Sequence, residues 1–120
     1  MIFGIGVDIV KVARFENENQ RFNQRVFTPC EREYLTQKGP QSAAGLFAAK
    51  EAVAKALGTG FSGFWPDAIE ITHNKKRRPE VILHQEAAKI AVELAGCDYS
   101  ILLSISHTAT DAIAYAVITQ

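Results

Sequence analysis

The chain opens on a strict alternation. In Ile2-Phe3-Gly4-Ile5-Gly6-Val7-Asp8-Ile9-Val10, Phe3, Ile5, Val7 and Ile9 fall on one face of a strand, and Gly4, Gly6 and Asp8 on the other. The spacing predicts a first strand over residues 2–10 with the apolar face on the core. The opposite face is then nearly bare backbone carrying one carboxylate. Aspartate is disfavoured in strands, and glycine weakens them unless something approaches the backbone closely. Two readings stand: a strand end with Asp8 in water, or a site built over exposed backbone.

Further along, the period changes. Phe15, Phe22 and Val26 recur at helical spacing, predicting a helix over residues 11–25 with Arg14, Arg21 and Arg25 on a neighbouring stripe. Thr28-Pro29-Cys30-Glu31 has the form of a capping box that opens a short helix ending near Gly39-Pro40. Residues 41–57 are rich in alanine and strong helix formers, and Gly58 closes them. A Gly-rich aromatic loop over 61–66 leads to strands at 68–72 and 80–83, joined by a basic turn. Residues 85–95 return to helical spacing and stop at Gly96. Strands at 99–106 and 112–118 flank a polar turn and form a second hairpin. This order predicts one compact α+β domain over residues 1–120, with helices packed on a largely antiparallel sheet.

Bulk composition narrows the field. A chain of 120 residues holds one core without needing staples. Thirteen Lys+Arg balance thirteen Asp+Glu, so overall charge gives no argument for nucleic acid. Cys30 and Cys97 follow no metal or redox spacing, which fits reduced thiols and a cytoplasmic setting. Neither a leader nor a membrane span is expected, because no apolar run has the required length or flanks.

Candidate chemistry centres on the long helix. Phe47, Glu51, Lys55 and Gly58 share one stripe. Glu51 and Lys55 alone read as a solvated ion pair worth about 0.2–0.5 kcal/mol. Taken with Asp8, they read as a site where strand and helix carboxylates hold a hard cation. Magnesium suits that donor set, since it takes one or two carboxylates plus substrate phosphates. Zinc does not, for want of a His/Cys cluster. His107 is either a plain turn residue or part of a site placed on a turn. The basic turn His73, Lys75, Lys76, Arg77 and Arg78 is either a solvated loop or a phosphate contact. Arg14, Arg21 and Arg25, with Phe15 and Phe22 as apolar anchors, form a basic face for an acidic partner that Glu18 partly neutralises.

Three segments together resemble the holo-acyl-carrier-protein synthases, the small class of phosphopantetheinyl transferases. They are Gly4-Ile5-Gly6-Val7-Asp8-Ile9-Val10, then the run from Phe47-Ala48-Ala49-Lys50-Glu51 through Lys55 to Gly58-Thr59-Gly60, then Ser104-Ile105-Ser106-His107. The likeness covers essentially the whole chain. One departure is the turn, where the family often has Gly, a basic residue and Pro, and this chain has Arg77-Arg78-Pro79.

The resemblance implies a reaction that moves the 4′-phosphopantetheine arm of coenzyme A to a serine of apo acyl carrier protein, in fatty acid biosynthesis. Asp8 and Glu51 would bind Mg²⁺, Lys55 would face the phosphates, and Gly58 would let the backbone approach the donor. Lys50, Arg78 and His107 would surround the nucleotide end. Arg14, Phe15, Arg21 and Phe22 would meet the acidic helix of the carrier protein. A homotrimer with sites between subunits is implied as well. Asp8, Glu51 and Lys55 are the expected catalytic set, with Glu51 as the proton acceptor. The alternative is a non-catalytic module that docks an acidic helical partner.

Overall fold

In the computed structural model, which describes residues 1–17 and 20–120, the first strand β1 (Ile2–Lys11) forms as its alternation predicts. Its two faces are reversed. The helix α3 (Pro40–Leu57) lies against the glycine face, close enough that a Cβ added at Gly4 would come within 1.9 Å of the Ala56 carbonyl oxygen. At Gly6 an added Cβ would meet the Ala52 carbonyl oxygen at 1.9 Å. Helix and strand backbones therefore touch, and Ala44, Ala48, Ala49, Ala52 and Ala56 on the helix are all buried. Ile5, Val7 and Ile9, expected in the core, are 58%, 48% and 66% exposed. Alternation separates two faces but does not say which is covered. Here the bare face is covered, because it allows a small-residue helix to come nearest.

The strands β4 (Ser100–His107) and β5 (Asp111–Thr119) complete a three-stranded antiparallel sheet in the order β1-β5-β4. Asp8 stands opposite Ala114, which stands opposite Ile105, and Val10, Ala112 and His107 form the next row on the same face. The outward face repeats the apolar pattern of β1, with Ile113, Tyr115 and Leu102 also exposed. The strands β2 (Ile69–His73) and β3 (Pro79–Leu83) pair as the predicted hairpin, but as a separate two-stranded sheet rather than an extension of the first.

The helix predicted over residues 11–25 is broken. A 3₁₀ turn at Val12–Phe15 buries Val12, and α1 (Gln20–Val26) follows; Glu18 lies outside the described residues. The capping box at Thr28 and Glu31 is present and opens α2 (Pro29–Leu35). That helix stops at Leu35, and Gly39-Pro40 opens α3 instead of closing α2, with Pro40 in the first turn where its missing N–H leaves no bond unmade. Gly58 ends α3 in the left-handed conformation at φ 86°. The last helix, α4 (Gln85–Ala95), buries Ala87, Ala91 and Ala95 and ends at Gly96. No helix of the described residues is long and apolar enough to cross a membrane.

The close helix–strand contact makes a graded prediction. Gly6→Ala should lower the unfolding free energy by about 3 kcal/mol, since its methyl group meets fixed backbone. Gly45→Ala, whose Cβ would meet only the Ile105 Cγ2 at 3.1 Å, should be nearly neutral. Urea unfolding of the two variants checks the contrast.

Candidate active site

Asp8 projects from the helix side of β1, and Lys55 reaches it from the last turn of α3 with Nζ 3.0 Å from the Asp8 Oδ1. The same ammonium donates to the Val7 carbonyl oxygen at 3.0 Å. Lys55 thus pairs across to the strand, and among the described residues no ion pair joins it to Glu51. The simple i, i+4 pair is not what forms, because the glycine face brings β1 within reach of the helix. Glu51 stands one turn earlier, half-buried beside Asp8. Burial, then the Asp8 carboxylate, push the Glu51 carboxyl above its ordinary range, against the opposing pull of Lys55 and Arg14.

Two neighbouring carboxylates, one of them partly desolvated, are a donor set that a hard cation would relieve. Among the described residues no group of three or more His, Cys, Asp or Glu side chains gathers at one place. The corner therefore fits a cation that takes its remaining ligands from water and a bound substrate, as magnesium does. Gly58 lies beside it, solvent-exposed, with open space around the position of a Cβ.

A second cluster forms on the other side of α3. His107, at the end of β4, lines a cavity of about 410 Å³ with Lys38, His73, Arg77 and Tyr34, and none of its lining side chains is acidic. The Tyr34 and His73 rings stack with centroids 4.5 Å apart and planes at 10°, and the Lys38 Nζ lies 5.3 Å from the centre of the Tyr34 ring. Burial, then the Lys38 charge, lower the His73 pKa.

Arg78, expected beside His107, lines a different cavity with Glu80 and Tyr99. The turn explains the exchange. Arg77 N donates to the Asn74 carbonyl oxygen at 2.9 Å, and the Asn74 Oδ1 accepts from the N–H groups of Lys76 and Arg78 at 2.8 and 3.0 Å. This winding sets Arg77 at φ 64°, a left-handed conformation costing a non-glycine residue about 1–2 kcal/mol. It also directs Arg77, not Arg78, to the cavity of His107.

Lys50 is a clear correction. Expected near the nucleotide, it is fully buried with Nζ 2.7 Å from the Glu31 Oε1, both side chains at 0% exposure. It also donates to the Pro66 and Ile69 carbonyl oxygens at 3.1 and 2.5 Å. Glu31 accepts in addition from the N–H groups of Thr28 and Ile71 at 2.8 and 2.7 Å. A fully buried charge must be fully paired, and no donor of Lys50 is left for a ligand. Among the described residues no buried side-chain nitrogen or oxygen lacks a partner.

The basic face is present but its aromatic anchors turn inward. Arg14 and Arg21 are exposed, and the Arg14 guanidinium lies 5.2 Å from the centre of the Phe47 ring. Phe15 and Phe22 are half-buried in an aromatic cluster with Phe47, at centroid distances of 5.6 and 6.0 Å from it. Arg25 stacks on Trp65, 5.5 Å from the ring centre, so an exposed aromatic does stand at this face, supplied by a distant loop. Lys38, Tyr34 and Trp65 carried no motif; only the folding of α2 and the 61–66 loop brings them to these places.

The carboxylate corner and the cationic cavity do not face each other. Asp8 lies on β1 and His107 on β4, the two outer strands, so about 10 Å of sheet separates the rows that carry them. Glu51 and Lys55 sit on the β1 side of α3, whereas Gly45 faces Ile105 on the β4 side.

The sequence and fold are similar to those of known proteins. A family model described as the 4′-phosphopantetheinyl transferase superfamily matches residues 4–109. A holo-[acyl-carrier-protein] synthase of Clostridium perfringens is 46% identical over 98% of this chain and 94% of its own length. One from Caldicellulosiruptor bescii is 46% identical over 98% of each chain. Among solved structures, a holo-(acyl-carrier-protein) synthase from Bacillus anthracis in complex with CoA (3′,5′-ADP) superposes with TM-score 0.80 at 34% identity, covering 98% of this chain and 96% of that one. The Helicobacter pylori protein in complex with coenzyme A gives TM-score 0.78 at 35% identity over 95% and 98% of the two chains.

The raised Glu51 carboxyl gives a signed prediction. Its cost to the metal-free fold is present in full above the folded-state pKa and is relieved as pH falls through that value towards the unfolded one. Glu51→Gln should therefore raise the melting temperature of metal-free protein at neutral pH, and the gain should vanish in acid. Thermal unfolding at both pH values checks it; equal melting at neutral pH would mean the carboxylate carries no such cost.

Proposed function

Since this chain belongs to the 4′-phosphopantetheinyl transferase superfamily, we propose that its carboxylate corner and its cationic cavity are the two halves of one transfer centre, completed between subunits. The enzyme moves the 4′-phosphopantetheine arm of coenzyme A to a serine of apo acyl carrier protein and releases 3′,5′-ADP. The observation that carries the residue assignment is the meeting of Asp8, Glu51 and Lys55 at one corner, from segments more than forty residues apart in the chain.

Asp8 and Glu51 would hold Mg²⁺, which when bound supplies positive charge at the pyrophosphate of the donor. Lys55 offers its ammonium to the phosphoryl oxygens, where negative charge spreads as the bond to the leaving nucleotide lengthens. Gly58, without a side chain, lets the donor lie against the backbone. The serine oxygen forms the new bond to phosphorus, the bond to 3′,5′-ADP breaks, and the serine proton passes to Glu51. Lys38 and His107 receive the nucleotide end with its phosphates, and the stacked pair of Tyr34 and His73 gives that end a planar wall. Arg14 and Arg21 meet the acidic helix of the carrier protein.

Two features support a homotrimer. The outward sheet face of Ile5, Val7, Ile9, Ile113, Tyr115 and Leu102 is a contiguous apolar surface of the kind that subunit contacts cover. The half-sites lie at opposite edges of the sheet, so the corner of one subunit can complete the cavity of the next in a closed ring. Residues 1–120 then act as one domain. With Cys30 and Cys97 free and exposed, we place the enzyme in the reducing cytoplasm, serving fatty acid synthesis.

Intact-mass spectrometry of apo acyl carrier protein incubated with coenzyme A, Mg²⁺ and this chain should show a gain of one phosphopantetheine arm. The gain should disappear with chelator and with the folded Asp8→Ala variant. Absence of any gain with well-folded protein would favour the docking module over the enzyme.

Subunit sharing has its own test. Asp8→Ala and His107→Ala are each expected to be nearly inactive, but after mixing and reassembly at equal amounts about a quarter of the sites should regain both intact halves. Recovery of activity checks the shared site; a mixture no more active than its parts would place both halves within one subunit.

A further inference from the structure

We propose that Trp65 is the apolar anchor of the carrier-protein contact: its exposed indole, held beside Arg25, packs against an apolar side chain of the partner's acidic helix. This rests on the reading that Arg14 and Arg21 meet that helix. It makes the indole a determinant of which carrier proteins are accepted.

Charge by itself gives this face a weak grip. Arg14, Arg21 and Arg25 are exposed, but so are Glu16 and Asp67 in the same segments. Protein contacts draw most of their strength from a few well-packed anchors, with tryptophan and arginine prominent among them. Phe15 and Phe22, which the sequence sets beside the arginines, are half-buried against Phe47 instead. Trp65 supplies the open ring. It is 64% exposed, and the Arg25 guanidinium lies 5.5 Å from its centre.

The proposed subunit contact does not account for that exposure. Of the Phe, Tyr and Trp side chains among the described residues, Tyr115 is the other exposed one, and it lies beside Val7 on the outward sheet face. Trp65 belongs to the opposite, helical layer. The carbonyl oxygen of the next residue, Pro66, accepts from the Lys50 Nζ of α3 at 3.1 Å, and the 3₁₀ turn Pro66–Ala68 packs beside α1.

The backbone under the ring is also fixed. The Trp65 carbonyl oxygen accepts from the Ala68 N–H at 2.9 Å, and Pro66 restricts the residue before it to the extended conformation found here. Phe61 and Phe64 of the same loop pack on the core and meet edge to face at 5.9 Å. Two rings therefore point in and one stays out. A large ring with few rotatable bonds on a held loop loses little freedom when a partner covers it. From Trp65 the face runs along α1 to Arg14, which lies over Phe47, one turn of α3 before Glu51. A carrier bound there borders the carboxylate corner.

Trp65 is the only tryptophan of the chain, so its emission reports on this one place when the carrier protein has none. Adding apo carrier protein should shift the emission to the blue and shield it from iodide quenching. Emission unmoved at carrier concentrations well above KM overturns the proposal.

Steady-state kinetics supply the second arm. Trp65→Ala should raise KM for the carrier protein about tenfold or more, while kcat and KM for coenzyme A move less than about twofold. Trp65→Phe should fall between wild type and the alanine variant. Equal rises for both substrates, or no rise, overturn the assignment. So does a lower native mass of Trp65→Ala, which would make the residue a subunit contact.

Arg21→Ala separates this from the reading beneath it. If that variant keeps the wild-type KM for the carrier protein, the basic face is not the docking face and that reading falls. A raised KM in Arg21→Ala, with Trp65→Ala unaffected, overturns only the role of Trp65.

Discussion

Everything at the carboxylate corner depends on how closely α3 approaches β1. The contact is backbone against backbone, with glycine on the strand and alanine on the helix, and it leaves room for no side chain between Gly6 and Ala52. This closeness brings the Lys55 ammonium within 3.0 Å of Asp8 and holds Glu51 near enough for the Asp8 carboxylate to raise its pKa. A larger residue at either glycine would lift the helix and open the corner. The two glycines are therefore spacers that set where Asp8, Glu51 and Lys55 meet.

A second constraint acts from inside. The buried pair of Lys50 and Glu31 joins α3 to α2, and through the Pro66, Ile69 and Ile71 main chain joins both to β2. Thr28 extends the network by donating to Glu70 at 2.6 Å, and Glu70 meets His84 at 3.0 Å. Buried charges add little net stability against an apolar alternative, but breaking one side of such a pair is costly, so the network resists any shift of these elements. It fixes α2, which carries Tyr34, against β2, which carries His73, and so sets up the stacked wall of the cationic cavity.

The result is a domain with two separate clusters, the carboxylate corner and the cationic cavity, that face apart. The corner is carried by β1 and one stripe of α3, and the cavity by β4, the β2–β3 turn and the start of α3. The exposed apolar sheet face between those edges fits an assembled protein better than a solitary one. A small domain has little wall to enclose a ligand as long as coenzyme A, a limit that the proposed sharing of the site between subunits would remove.

Much of this was legible from residue order. Alternation, capping and helix-stop signals located β1, α2, α3, α4 and both hairpins, because each rests on local backbone chemistry. The unusual composition of the first strand marked Asp8, and helical spacing put Glu51, Lys55 and Gly58 on one stripe. Which face of β1 is buried was not legible, since alternation is symmetric and only the arrival of α3 breaks the symmetry. Nor was the fate of Lys50, one residue from Glu51 yet on the inward side, where Glu31 and two carbonyl oxygens take its donors. Arg77 and Arg78 are equivalent as sequence, and the winding of one turn sends them to different cavities. The sequence by itself determined the elements and the types of charge available, because those follow from neighbours along the chain. Tertiary structure decided which charges meet, which are buried and which edge of the sheet each cluster faces, because these depend on distances between segments that no local pattern encodes.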